Sequence, residues 1–319
     1  MDATQFSDLR IVVIGDVMLD HYIWGDATRI SPEAPVPVVS VNRDTYVPGG
    51  AANVACNLSG LGVQTNLLGC YGKDDGGNRL GSLLCEHNIH LDPLGCGGGV
   101  ATIVKTRLIV QHQQMCRIDR ELAPTDYVLM NSVAPAAIQK LIEGADAVLL
   151  SDYAKGVIDV SLIELVLSVA RNADKQPLVV MDPKPKRHLE LSGMDLMTPN
   201  RSEAQQLAGF VADPHAPFDD EAICGAIYAR YKPRNLVVTL GADGMLLCQD
   251  GSVIGRLPTE AQEVFDVSGA GDTVVATLTA ALASGMDLDS AAQLANKAAG
   301  IVVSHLGTSP ITLSLLLDS

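Results

Sequence analysis

The sequence predicts an α/β fold built on one mostly parallel sheet with helices on both faces. Three observations predict it. Short runs of Val, Ile and Leu at 9–14, 147–150, 178–181 and 236–240 alternate with longer segments of helical character. Those runs are apolar throughout, the pattern of strands covered on both sides. Polar or glycine residues follow their C-terminal ends: Gly15-Asp16, Ser151-Asp152, Asp182-Pro183-Lys184 and Gly241-Ala242-Asp243-Gly244. In an open parallel sheet, ligands bind at that edge.

Taken in order, residues 9–14 read as a first strand whose end exposes Asp16. The segments 21–25 and 36–41 have strand composition, but Pro32, Pro35 and Pro37 rule out a central sheet position. Edge strands projecting from the main body are expected there. Residues 47–55 enter a helix of small residues. Gly49 and Gly50 bring backbone close to a neighbour, and Asn53 lies one turn in. A tight turn with close helix–sheet packing is the plain alternative to a binding role. A strand at 65–71, a helix at 76–87 and a loop at 97–99 precede an exposed strand over 101–110, which pairs with 111–119. Helices are expected at 134–142, 158–171 and 202–207, with a further strand at 196–197, which ends in Thr198-Pro199-Asn200. Residues 263–267 read as a strand running into a long Ala-rich helix. No repeat, low-complexity segment or linker appears, so residues 1–319 read as a single domain with one excursion.

The chain of 319 residues is long enough for a substantial core, and its apolar content is 47%. No run of about 18 uncharged apolar residues would span a bilayer, and the polar N-terminus has no secretion-signal pattern. The seven cysteines are scattered without a C-x-x-C pair, which fits reduced thiols in a cytoplasmic protein. A net charge of −15 argues against nucleic acid or an anionic membrane as partner. If such a chain binds phosphorylated small molecules, it must concentrate its Lys and Arg locally.

The stretch Asp266-Val267-Ser268-Gly269-Ala270-Gly271-Asp272-Thr273 organises the rest. Its glycines let successive N–H groups converge, and the helix that follows adds its unpaired first-turn N–H groups, making an anion site. Asp272 in that first turn is either a helix cap or a base held where a phosphoryl group and a hydroxyl meet. There is no Walker A motif and no G-x-G-x-x-G, so a P-loop enzyme and a nicotinamide dehydrogenase both lose support. Cys and His never fall at metal-ligand spacings. Asn200-x-x-Glu203 together with Asp182 suits Mg²⁺ held largely through its own waters beside nucleotide phosphates.

Gly49-Gly50-Ala51-Ala52-Asn53 and the 266–273 stretch resemble the two signatures of the PfkB/ribokinase family of carbohydrate kinases, with Asn200-x-x-Glu203 and Thr239-x-Gly241-x-x-Gly244 between them in family order. The likeness covers essentially the whole chain. Residues 29–38, 151–156 and 306–309 are similar to the branch of that family that phosphorylates D-glycero-β-D-manno-heptose 7-phosphate at the anomeric hydroxyl. No H-x-G-H motif of a fused nucleotidyltransferase is present, so the stand-alone form of that branch is expected.

The resemblance implies a ribokinase-like three-layer sandwich with a small β-sheet lid, formed by about 17–47 and 101–119, that also makes a homodimer contact. It implies ATP and Mg²⁺ as cofactors and a small sugar phosphate as substrate. Asp272 would be the base, and the backbone of Gly269, Ala270 and Gly271 the anion hole. Asp16, Gly49, Gly50 and Asn53 would hold sugar hydroxyls, and Asn200 and Glu203 would organise Mg²⁺ through water. Thr239, Gly241 and Gly244 would line the nucleotide site, with Asn296 near the adenine. Asp266 would help hold a monovalent cation in relatives that use one. A substrate already phosphorylated at its far end needs a cationic clamp; Lys105, Arg107 and Lys155 are the candidates, with Arg117 or Arg29 from the lid. The alternatives are a kinase of another sugar or nucleoside and a sugar-binding regulator without catalysis.

Overall fold

The computed structural model describes every residue except 1–5, 98, 112, 187, 188, 190, 191, 212–216, 262–265, 306–308 and 319. Strand β1 (Arg10–Gly15) leads into β2 (Val17–Ile30), which returns as β3 (Pro37–Gly50) and enters helix α1 (Ala51–Gly60). Next come β4 (Gln64–Leu68), β5 (Tyr71–Gly72), α2 (Asp75–Glu86), β6 (His90–Leu91), β7 (Cys96–Gly97), β8 (Val104–Val110) and β9 (Gln113–Arg120). The chain continues through α3 (Pro135–Ile142), β10 (Ala147–Ser151), α4 (Val160–Asn172), β11 (Leu178–Asp182), β12 (Leu196–Met197) and α5 (Arg201–Leu207). It closes with α6 (Asp220–Tyr231), β13 (Asn235–Thr239), β14 (Met245–Gln249), β15 (Ser252–Leu257), α7 (Ala270–Ala283), α8 (Leu288–Val303) and α9 (Leu313–Asp318).

The large sheet has the order β15-β14-β13-β12-β11-β10-β1-β4-β6. From β6 to β13 every pairing is parallel; β14 and β15 add an antiparallel edge. Alternate residues of one strand feed opposite cores, because side chains alternate across a strand. Ile11 and Val13 pack with the helices carrying Val54, Leu278 and Ala295, whereas Val12 and Ile14 pack with those carrying Ile138, Val166 and Ile227. This three-layer arrangement explains why the strands are apolar along their whole length.

The excursion forms a second sheet in the order β3-β2-β8-β9, in which β2 and β8 run parallel and the other neighbours antiparallel. One expectation needs correction here. The segment 21–25 is not an edge: it lies inside β2, paired to β3 on one side and β8 on the other. Pro32 and Pro35 fall between β2 and β3, and Pro37 opens β3, which is itself an edge strand, so none removes a hydrogen bond from the middle of the sheet. Most of the strand expected at 263–267 lies outside the described residues, as do residues 306–308; the described end, Asp266 and Val267, is not strand.

Candidate active site

The C-terminal ends of β1, β10, β11, β12 and β13 all open on the same edge of the large sheet, and the second sheet rises from that edge. Between them lies a cavity of about 270 Å³. Asp272 lines it from the first turn of α7, with 8% of its surface exposed. Gly269, the residue preceding α7, has φ 82°, which turns the chain so that α7 starts with its N–H groups toward the cavity. Among the described residues no acceptor meets the N–H groups of Gly271 and Asp272, while that of Ala270 is used by the Val267 carbonyl at 3.3 Å. An anion at the start of α7 would therefore meet the N–H groups of Gly271 and Asp272 more readily than that of Ala270.

Asp272 is not a helix cap. Its carboxylate accepts no backbone hydrogen bond among the described residues. Instead Oδ2 accepts from Asn53 Nδ2 at 2.6 Å, and Oδ1 accepts from the Tyr153 hydroxyl. Burial raises the pKa of Asp272 to about 6, against the opposing pull of those two donors. The packing of α1 on α7 makes this possible. Both helices are rich in Ala, so their backbones approach closely, and Asn57 locks them by accepting from Thr273 Oγ1 at 2.9 Å. Asn53, expected at a sugar hydroxyl, lines the cavity and gives one amide N–H to Asp272.

Gly49 and Gly50 line the cavity as expected. Gly50 has φ 60°, and a Cβ on Gly49 would collide with the Asp20 carboxylate. Asp20 was missed by the sequence reading, which chose Asp16 four residues earlier. Asp16 is fully buried and absent from the cavity wall. Its carboxylate accepts the N–H groups of Tyr153 at 2.8 Å, Lys155 at 2.9 Å and Val157 at 3.0 Å. It holds the 152–157 loop; the acid that faces the cavity at this end of the sheet is Asp20, which pairs with Arg107. The alternation of strand residues on β2 was a usable signal, since Met18, Asp20 and Tyr22 all line the cavity.

Lys105 and Arg107 reach the cavity from β8, again two residues apart. Arg107 is committed to Asp20, whereas Lys105 has no ion pair among the described residues. Burial lowers the Lys105 pKa. Lys155 is not on the cavity wall; it pairs with Glu121 at 2.6 Å. Arg117 pairs with its neighbour Asp119 on exposed β9, and Arg29 lies near the far end of β2.

On the nucleotide side, Asn200 and Glu203 form a reciprocal cap on α5: Glu203 N donates to Asn200 Oδ1 at 3.0 Å and Asn200 N donates to Glu203 Oε2 at 2.9 Å. Glu203 Oε1 holds Lys184 Nζ at 2.5 Å. Beneath them burial, followed by the nearby carboxylates of Glu203 and Asp272, pushes the Asp182 pKa well above its ordinary range. No group of three or more metal-ligating His, Cys, Asp or Glu side chains occurs among the described residues. A bare Mg²⁺ therefore has no protein cage, but a hydrated ion carried by phosphates fits beside Glu203.

Thr239 lines the cavity, drawn next to Asn200 by a bridge between the two backbones. Gly241 and Gly244 build the turn after β13 rather than the cavity wall; Leu240 N donates to the Gly244 carbonyl at 2.8 Å across that turn. Asn296 is buried in α8 with its amide on the Pro258 carbonyl at 2.6 Å, away from the cavity wall. Asp266 Oδ1 accepts the Ser268 N–H at 2.9 Å, bracing the turn into α7. Lys184, Asp182 and Tyr153 all line the cavity. The sequence reading gave Asp182 a part in holding Mg²⁺ and assigned no role to Lys184 or Tyr153, since nothing local marks a tyrosine as the neighbour of a residue 119 positions away.

The chain is 41% identical over 318 residues to the bifunctional protein HldE of Magnetococcus marinus, covering 98% of this chain and 64% of that protein. It is 40% identical over 319 residues to HldE of Caulobacter vibrioides, covering 98% and 63%. The chain thus spans less than two thirds of the length of these relatives. Among solved structures, the fold matches Arabidopsis thaliana ribokinase complexed with ribose and ATP at TM-score 0.75 and 21% identity, covering 97% of this chain and 98% of that one. Escherichia coli phosphofructokinase-2 in complex with substrates and products matches at TM-score 0.77 and 19% identity, with 97% and 98% covered. The profile described as pfkB family carbohydrate kinase matches residues 8–314. With a ribokinase-like fold and a family match over nearly its whole length, the chain belongs to the pfkB family of carbohydrate kinases.

Proposed function

We propose that the chain transfers the terminal phosphoryl group of ATP to the anomeric hydroxyl of D-glycero-D-manno-heptose 7-phosphate, giving the 1,7-bisphosphate for lipopolysaccharide core heptose precursors. The observation that carries the reading is Asp272 at the cavity wall, in the first turn of α7 beside the Gly271 N–H, which meets no acceptor among the described residues. At neutral pH its carboxylate is ionised, and it takes the proton as the sugar oxygen attacks phosphorus. The N–H groups at the start of α7 stabilise charge on the transferring group; positioning and electrostatics, rather than covalent chemistry by the protein, carry phosphoryl transfer. Mg²⁺ bound to the nucleotide would neutralise the phosphates, with Glu203 and Asn200 reached through its waters.

Asp20 and the backbone of Gly49 and Gly50 hold sugar hydroxyls in this reading. Lys105 supports a phosphorylated acceptor over a neutral one, because a half-buried ammonium without an ion-pair partner among the described residues is costly until an anion arrives. About 40% identity to the HldE proteins supports the heptose branch of the family. A coupled assay comparing heptose 7-phosphate with fructose 6-phosphate and ribose tests the choice; preference for either competitor would replace the heptose. Lys105→Met is expected to raise KM for the sugar phosphate about 10–100-fold with kcat little changed. Activity on a neutral sugar should be unaffected by it.

The second sheet acts as a lid and as a homodimer contact in this proposal. Ile30, Val41 and Ile118 on it are more than half exposed, an apolar surface that a second copy would cover. Sedimentation velocity should give a dimer, and Ile118→Asp should shift it toward monomer.

A further inference from the structure

The 152–157 loop is more heavily built than a connection between a strand and a helix requires. The Asp16 carboxylate, fully buried, accepts three of its N–H groups. Asp152 Oδ1 accepts a fourth, from Ala154, at 2.7 Å. Ala154 adopts φ 58° and Gly156 φ 125°, and a Cβ on Gly156 would strike the Pro124 carbonyl. Backbone held this firmly in sparsely populated conformations signals a position that must be kept. What the loop presents to the cavity is the Tyr153 side chain, whose hydroxyl donates to Oδ1 of Asp272.

We infer that Tyr153 is the positioning residue of the base: its phenol keeps the Asp272 carboxylate ionised and fixes its plane, so that the remaining lone pairs face the acceptor hydroxyl. A hydrogen bond given to a carboxylate favours the ionised form over the acid. The two oxygens are pinned by donors from different elements, Tyr153 after β10 and Asn53 on α1, so the carboxylate has one orientation. The donor is dependable, because burial and the adjacent Asp272 raise the Tyr153 pKa well above its ordinary value and keep the phenol protonated. The other charged groups facing Asp272 are Asp20 from β2, which raises its pKa, Lys184 after β11, which lowers it, and Asp182 at the end of β11. None of these has a hydrogen bond to the Asp272 carboxylate among the described residues, which leaves the two neutral donors in control of its geometry.

The inference rests on the proposed role of Asp272 in transfer, and its test has one arm that does not. In the first arm kcat/KM for an accepted sugar is measured against pH in Tyr153→Phe. The acid limb, expected near pH 6 in the natural protein, should move up by about one unit, and activity should recover on the alkaline side. KM for ATP should stay unchanged. In the second arm, protein labelled with [13C]aspartate is titrated by carboxyl NMR, with the Asp272 signal assigned by its loss in Asp272→Asn. Its midpoint should rise by the same amount in Tyr153→Phe, whether or not any sugar is phosphorylated. Asn53→Ala combined with Tyr153→Phe should raise it further.

A rate loss independent of pH, or a higher sugar KM with an unmoved acid limb, would make Tyr153 a substrate contact or a packing residue and overturn the inference. An Asp272 midpoint unchanged in Tyr153→Phe would overturn it as well. Absence of phosphoryl transfer to every sugar tested, with the NMR shift present, would instead count against the kinase role of Asp272.

Discussion

Replacing Asp272 by Asn is expected to lower kcat by about 10³-fold or more while leaving ATP binding intact. General-base removal is worth roughly 10²–10⁴-fold, and here no second carboxylate is placed to substitute. Asp182 lines the same cavity, but burial and its acidic neighbours disfavour its charged form. In the natural protein the same base sets a pH limit. With a pKa of about 6, Asp272 is ionised above that value, so kcat/KM should fall tenfold per unit below it. The stability effect has the opposite sign. A carboxyl whose folded pKa lies above its unfolded value near 3.8 penalises the folded state increasingly from pH 3.8 upward and fully above about 6, so the penalty is lost as pH falls from 6 to 3.8. At pH 7 it amounts to at most about 3 kcal/mol. Asp272→Asn should therefore be inactive and slightly more heat-stable at pH 7, with the stability gain vanishing near pH 3.5. Parallel turnover and thermal melts check both. Wild-type-like turnover would remove Asp272 from the chemistry, and a lower melting temperature at pH 7 would show that the hydrogen bonds from Asn53 and Tyr153 outweigh the cost of the buried charge.

The second large effect is expected at Asp16. Asp16→Ala strips the acceptor from one buried and two partly buried N–H groups at once, and an unmet buried donor costs about 1–3 kcal/mol. Some relaxation of the loop is expected, so the total should be about 3–5 kcal/mol, visible as a melting temperature lower by several degrees. Turnover should fall as well, because the released loop no longer delivers Tyr153 to the base. A sugar ligand would behave differently: its removal would raise the sugar KM and leave the melting temperature where it was. Measuring both quantities on Asp16→Ala and Asp16→Asn decides between a scaffold and a substrate contact.

Asp16 and Asp20 show why part of the site was legible and part was not. Both follow the first strand, both are carboxylates, and only the direction of the side chain separates them. Gly15-Asp16 looked like the end of a strand opening on a ligand, yet the chain passes straight into β2 and the Asp16 side chain turns inward under the 152–157 loop. The bonds that Ala270 and Asn296 make were hidden for a similar reason. The Ala270 N–H closes a turn with Val267, and the Asn296 amide holds the Pro258 carbonyl, and neither bond leaves a mark in the local sequence. By contrast the 266–273 stretch and Gly49-Gly50 were readable, because a turn that brings N–H groups together, or backbone close to a carboxylate, needs glycine in place.

By itself, then, the order of residues determined the alternating strands and helices, the buried parallel sheet, the glycine turn before α7 and the position of an acid in its first turn. These depend on spacing within a few residues, which a linear chain displays directly. The tertiary structure alone decided which carboxylate faces the cavity, that Lys184 sits on Glu203, and that Tyr153 and Asn53 hold Asp272 from opposite sides. Such contacts join residues more than a hundred positions apart in the case of Asp272. Their geometry is set by how the helices and loops pack on the sheet, and packing is a property of the whole fold.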